Sequence, residues 1–130
     1  MSRVLVVDDD AAIRALLRAF LEEDGHHVEE ATDGQQGVRR YQETPVDIVI
    51  TDVLMPEQDG LELIIELKEM FPEVRIIAMS GGGRGVDAKL GLQLTGFFGV
   101  VHQLQKPFTK KQVLEAMHQI SHGMDAVFQR

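Results

Sequence analysis

Cysteine is absent from the 130 residues. That excludes a disulfide framework, a thiolate metal site and a cysteine nucleophile, and it fits a reducing compartment. Basic residues are scarce: 13 Lys and Arg stand against 21 Asp and Glu, for a formal net charge of -8. Direct nucleic-acid binding is therefore disfavoured, because phosphate contacts need clustered Lys and Arg. Long apolar runs are missing too. The N-terminus, MSRVLVVDDD, offers an apolar stretch far too short for a signal-peptide core or a membrane span. The expectation is a cytoplasmic protein with no membrane engagement. No repeat, low-complexity segment or second domain is visible. What remains is one compact domain's length of chain, and its 44% hydrophobic content suffices for a core.

Short apolar runs alternate with segments of helical period. Val4 to Val7 reads as a first strand. Asp10 can cap a helix from Ala11 to about Asp24, with Ile13, Leu16, Leu17, Phe20 and Leu21 on one face, and Gly25 stops it. His27 to Ala31 is a weaker second strand. Asp33 can cap a second helix from Gly34 to about Glu43, closed off by Pro45. Asp47 to Thr51 is the third strand. Gly60 to Phe71 is the third helix, with Leu61, Ile64, Ile65 and the Lys68 stem on one face. Val74 to Met79 is the fourth strand and SGGGRG, from Ser80, is a loop. Val86 to about Phe98 has helical character interrupted by Gly91 and Gly96. Val100 to Gln105 is the fifth strand, and Thr109 caps a last helix with Val113, Leu114, Met117 and Ile120 inward. Five strands alternating with five helices imply βαβ units. Continuous rather than alternating apolar strands imply a parallel sheet covered on both faces, an α/β doubly wound fold.

In such a sheet, ligands bind at the carboxyl ends of the strands. Asp8, Asp9 and Asp10 follow the first strand, Asp52 the third, Ser80 the fourth, and Lys106-Pro107 the fifth. Clustered carboxylates repel unless a cation neutralises them. Oxygen donors without His or Cys suit a hard cation, Mg²⁺ above all. A cation, an ammonium and a hydroxyl around a carboxylate form a constellation suited to a phosphoryl group.

Taken together, VLVVDDD (4–10), DIVITDVLMPEQDG (47–60), AMSGG (78–82) and QKPF (105–108) resemble the receiver domains of two-component response regulators. The resemblance spans about residues 2 to 121. It implies a (βα)5 flavodoxin-like fold of five parallel strands in the order 2-1-3-4-5, with a receiver domain over 1–121 and a short tail over 122–130. It also implies roles by position. Asp52 matches the phosphoacceptor for a sensor histidine kinase or phosphotransfer protein. Asp9, Asp52 and the Leu54 carbonyl match the Mg²⁺ ligands, with Asp8 acting through water. Ser80 matches the switch hydroxyl, Gly81 the small residue beside the phosphoryl group, and Lys106 its cationic partner. Lys106-Pro107 matches a peptide bond usually cis in the family.

The sequence also departs from that pattern. Gln103 stands where receivers usually carry an aromatic readout residue, and GGGRGVD lengthens the loop before the fifth strand. The expected output therefore passes through residues 80–105 to a downstream protein partner. Asp10 reads as a helix cap only. His26, His27, His102, His118 and His122 read as surface residues. Phe97 and Phe98 read as core. SGGGRG lacks the Gly-Lys-Ser/Thr ending of a nucleotide-binding loop. The reading is a regulatory phosphoacceptor, not an enzyme, and best fits a single-domain regulator. One alternative is a phosphohydrolase working through an aspartyl-phosphate, but its second acid would fall at Leu54. The other is a receiver-like interaction module that takes no phosphate, against which the full set of acids, Ser80 and Lys106 argues.

Overall fold

The computed structural model describes residues 2–53, 60–80 and 102–128, with side chains at 2–53, 62–80 and 102–121. The chain forms β1 (Arg3–Val7), α1 (Ala11–Glu23), β2 (His27–Ala31), α2 (Gly34–Glu43), β3 (Ile48–Asp52), α3 (Gly60–Met70), β4 (Ile76–Ser80), β5 (His102–Gln105) and α4 (Lys110–Phe128). The five strands are all parallel and lie in the order β2-β1-β3-β4-β5. The expected helix over 86–98 and the glycine loop after Ser80 lie outside the described residues.

The two-sided core follows from strand geometry, in which alternate side chains face opposite ways. Val4, Val6, Ile48, Ile50, Ile77 and Met79 point to one face, where Leu17 and Leu21 of α1 and Val113, Met117 and Ile120 of α4 cover them. Leu5, Val7, Val49, Ile76 and Ala78 point to the other, under Val38 and Tyr41 of α2 and Leu63, Ile64 and Leu67 of α3. Each large side chain so buried contributes roughly 1.5–3 kcal/mol. The near-continuous apolar strands are thus consumed on both sides. α2 comes close enough that a Cβ on Gly37 would lie 3.1 Å from Val7 Cγ2 and 3.3 Å from Leu63 Cδ1.

The helix ends follow local chemistry. Asp10 accepts the Ala12 N–H at 2.8 Å, and Asp33 accepts the Gln36 N–H at 2.9 Å. Such caps satisfy donors that no helical carbonyl can reach. Thr109 and Gln112 exchange side-chain-to-backbone bonds of 3.1 and 2.9 Å, a reciprocal capping box. α1 ends when Gly25 adopts φ +89°, so that Gly25 N–H reaches Glu22 and His26 N–H reaches Leu21.

Several boundaries and faces differ from the sequence expectation. β4 runs Ile76–Ser80 rather than 74–79, because Val74 N–H is taken by the Phe71 carbonyl in a turn. α3 buries Leu63, Ile64 and Leu67, whereas Ile65 is only half-buried; the helix is rotated relative to the expected face. Leu16 is exposed, and Ala116 rather than Leu114 fills the inner face of α4. α4 also continues through residues 122–128, the segment expected as a tail. Among the described residues, no helix is long and apolar enough to cross a membrane.

Candidate functional site

Strand register brings the site together. Val7 pairs with Thr51, Asp52 with Met79, and Ser80 with Gln105. One residue further along β1 stands Asp8, and one residue beyond β5 stands Lys106, whose N–H bonds to the Ser80 carbonyl at 2.7 Å. Groups from chain positions 8, 52, 80 and 106 therefore meet on one rim. The buried polar side chains among the described residues are Asp8, Thr51, Asp52 and Ser80, all at the carboxyl ends of β1, β3 and β4. Buried polar groups are costly unless partnered, so their collection at one place marks that rim.

Lys106 Nζ sits between two acids, 2.7 Å from Asp8 Oδ2 and 3.3 Å from Asp52 Oδ2. The Asp8 side chain is fully buried and that of Lys106 is 15% exposed. Burial pushes the Asp8 carboxyl above its ordinary range, against the hydrogen bond from Lys106 and that from the Asp10 N–H. Burial alone would lower the Lys106 ammonium. The hydrogen bond to Asp8 and the charges of Asp52 and Asp8 outweigh it and hold the group above its usual value. Thr51 Oγ1 donates to the Asp52 carbonyl at 3.1 Å, and Val53 N–H bonds to the Met79 carbonyl at 2.8 Å; both fix the end of β3.

Asp8, Asp9 and Asp52 each offer a carboxylate oxygen, and these oxygens lie within 4.8 Å of one another. An all-oxygen set of this kind fits a hard divalent cation. The three acids are not equivalent. Both Asp8 oxygens already accept hydrogen bonds, Oδ2 from Lys106 and Oδ1 from the Asp10 N–H at 2.9 Å. Asp9 is exposed at the mouth of the cluster. This asymmetry suits direct ligation by Asp9 and contact through water at Asp8.

Leu54 and Gly81 lie outside the described residues. The Lys106–Pro107 peptide is cis. Gln103 is exposed on β5, and His102 before it is half-buried, with its imidazole pushed down by burial. His26 is not a surface residue either: its Nδ1 accepts the Ser2 N–H at 3.0 Å. One residue at the rim carried no sequence signal. Arg14, a turn into α1, donates from Nη1 to the Asp8 carbonyl at 2.7 Å. Nothing in the local pattern separates it from Arg18, the other arginine of that helix.

Known proteins are similar to this chain over almost its whole length. Residues 4–118 match the family model of the response regulator receiver domain. The chain is 34% identical over 120 residues to the chemotaxis protein CheY of Thermotoga maritima, covering 92% of this chain and 97% of that protein. It is 35% identical over 117 residues to CheY of Bacillus subtilis, covering 89% and 94%. Among solved structures, a response regulator receiver domain protein from Clostridium thermocellum superposes with a TM-score of 0.81 at 28% identity, over 98% of this chain and 99% of that one.

Proposed function

The chain belongs to the response regulator receiver domain family and is a phosphoacceptor signalling domain, and from that premise we propose that Asp52 takes the phosphoryl group. The donor is the phosphohistidine of a sensor histidine kinase or a phosphotransfer protein, met in the cytoplasm. The observation that carries the reading is the Lys106 ammonium held between Asp8 and Asp52 on the rim.

In the step itself, an Asp52 carboxylate oxygen forms a bond to phosphorus and the P–N bond to the donor imidazole breaks. The imidazole nitrogen keeps the electron pair and takes a proton from solvent. Lys106 neutralises charge on the phosphoryl oxygens, and Ser80, buried at the end of β4, supplies a hydroxyl toward them. Asp9, Asp52 and the Leu54 carbonyl would hold Mg²⁺, with Asp8 acting through water, and the ion would supply further charge neutralisation. The phosphoryl group adds about -1.5 to -2 charges next to Asp8 and Asp9. That excess draws Lys106 and Ser80 onto it, and Lys106 is continuous with β5. The surface of β5 and α4, with Gln103 exposed on it, is thus the face offered to a downstream protein partner.

The test is intact-mass measurement after incubation with acetyl phosphate and Mg²⁺. The wild type gains one base-labile phosphoryl group and Asp52→Asn gains none. Equal labelling of the two proteins would sink the assignment.

A further inference from the structure

The turn between β1 and α1 carries Asp8 and Asp9, and it is held from behind by one side chain. Arg14 uses two donors of the same planar guanidinium. Nη1 bonds to the Asp8 carbonyl at 2.7 Å and Nε bonds to Glu30 Oε1 at 3.0 Å. The other Glu30 oxygen takes Arg18 Nε at 2.6 Å, and Arg18 Nη1 reaches Glu22 at 2.9 Å. The Arg14 side chain is 16% exposed, so this is a largely covered contact rather than a loose surface pair. On the other side of the residue, Asp8 N–H bonds to the Ala31 carbonyl at 3.1 Å. The bond to Ala31 thus fixes the peptide plane joining Val7 to Asp8 from β2, and Arg14 fixes the next plane, joining Asp8 to Asp9, from α1. The carboxylate of Asp9 hangs from that plane.

We propose that Arg14 is a positioning residue: its guanidinium, anchored on Glu30, locks the Asp8 carbonyl and so sets where Asp9 presents its carboxylate to a divalent cation. This rests on the reading of the acid cluster as the Mg²⁺ and phosphoryl site. A fork is needed because two acceptors on different elements must be met in one plane. A lysine keeps the charge but offers a single point donor, which can serve the carbonyl or Glu30 but cannot span both in fixed geometry. Groups that orient ligands in this way typically change metal affinity about 10–100-fold when removed.

The experiment measures the Mg²⁺ dissociation constant by calorimetry and, separately, the acetyl phosphate labelling rate as a function of Mg²⁺. Wild type, Arg14→Gln, Arg14→Lys and Glu30→Gln are compared, and each is checked for a cooperative melt without metal. Arg14→Gln should weaken Mg²⁺ about tenfold and shift the half-saturating concentration of labelling by the same factor. The labelling rate at saturating Mg²⁺ should stay close to wild type, because the phosphoacceptor and Lys106 are untouched. Arg14→Lys should fall on the Arg14→Gln side, and Glu30→Gln should fall between them and the wild type. Arg14→Lys with wild-type affinity would overturn the proposal, since charge alone would then suffice. So would an Arg14→Gln protein whose affinity is unchanged, or one that loses only the saturated rate. If Arg14→Gln does not fold, the Arg14→Lys and Glu30→Gln affinities decide by the same criteria. A wild type that neither binds Mg²⁺ nor labels would instead remove the function proposed above.

Discussion

The two ends of the sheet handle polar groups in opposite ways. At the amino end, Asp47 is exposed and its carboxylate accepts the Arg3 N–H at 2.8 Å. Lys68 is half-buried and donates to the Val74 carbonyl at 2.9 Å, and burial pushes its ammonium down. Tyr41 packs on Phe71 with ring centroids 4.8 Å apart. Asp47 and Lys68 there each meet a backbone group. At the carboxyl end, two buried acids share one ammonium, and burial, with a smaller contribution from the Asp9 side chain, raises the carboxyl of Asp8. Folding gains little from such a cluster, because desolvation of the charges offsets their attraction. A rim that keeps charges the fold does not need is a rim kept for chemistry.

That contrast can be broken most directly at Lys106. Lys106→Met strands the buried Asp8 without its cation, and it should cost about 3 kcal/mol in urea unfolding at pH 7. A loss of less than about 1 kcal/mol would mean the pair behaves like an exposed ion pair, and the difference between the two ends would vanish.

The brace behind the rim gives a smaller effect with a defined pH dependence. The hydrogen bond from Arg18, opposed by partial burial and aided by Arg14, holds the Glu30 carboxyl below its ordinary value of 4.5. A lowered carboxyl contributes stability above its unfolded value, and that contribution is lost as pH falls through the folded one. The stability gap between wild type and Glu30→Gln should therefore be level from pH 7 to about 5, at up to about 1 kcal/mol. It should then narrow below 4.5. A gap that stays constant down to acid unfolding would show that the carboxylate's charge is not what the arginines hold.

The smallest effect belongs to the amino end. Lys68→Met loses the bond to the Val74 carbonyl but also relieves the desolvation of the ammonium. Chemical denaturation should show a change within about 1 kcal/mol in either direction. A loss as large as that of Lys106→Met would erase the distinction from the opposite side.

Much of this was legible before any coordinates. Asp10, Asp33 and Thr109 cap helices because a short side-chain acceptor beside an amphipathic run has few other uses, and Gly25 ends α1 because its positive φ suits glycine. The strands were visible as unbroken apolar runs and their carboxyl-end acids as interruptions of those runs. Helix faces were less legible. In α3, where Leu and Ile are nearly continuous, the sequence offers several equally apolar stripes, and only packing into the cluster shared with the sheet and α2 selects Leu63, Ile64 and Leu67. His102 is half-buried where β5 faces Gln112, Ala116 and Gln119 of α4, a packing contact that its own strand pattern does not display.

Which groups the rim contains follows from the order of residues along the chain: the acids after the first and third apolar runs, a hydroxyl after the fourth and an ammonium after the fifth. They meet there because a parallel sheet puts every carboxyl end on the same side, whatever lies between. How those groups divide the work depends on packing between distant elements. Asp8 is fully buried, with Lys106 and the Asp10 N–H on its oxygens, while Asp9 beside it stays open. The Asp8 carbonyl is claimed by Arg14, six positions later along the chain. Adjacent residues of one type were told apart by the pitch of a strand end and by the reach of side chains from other elements, and neither is written in local sequence.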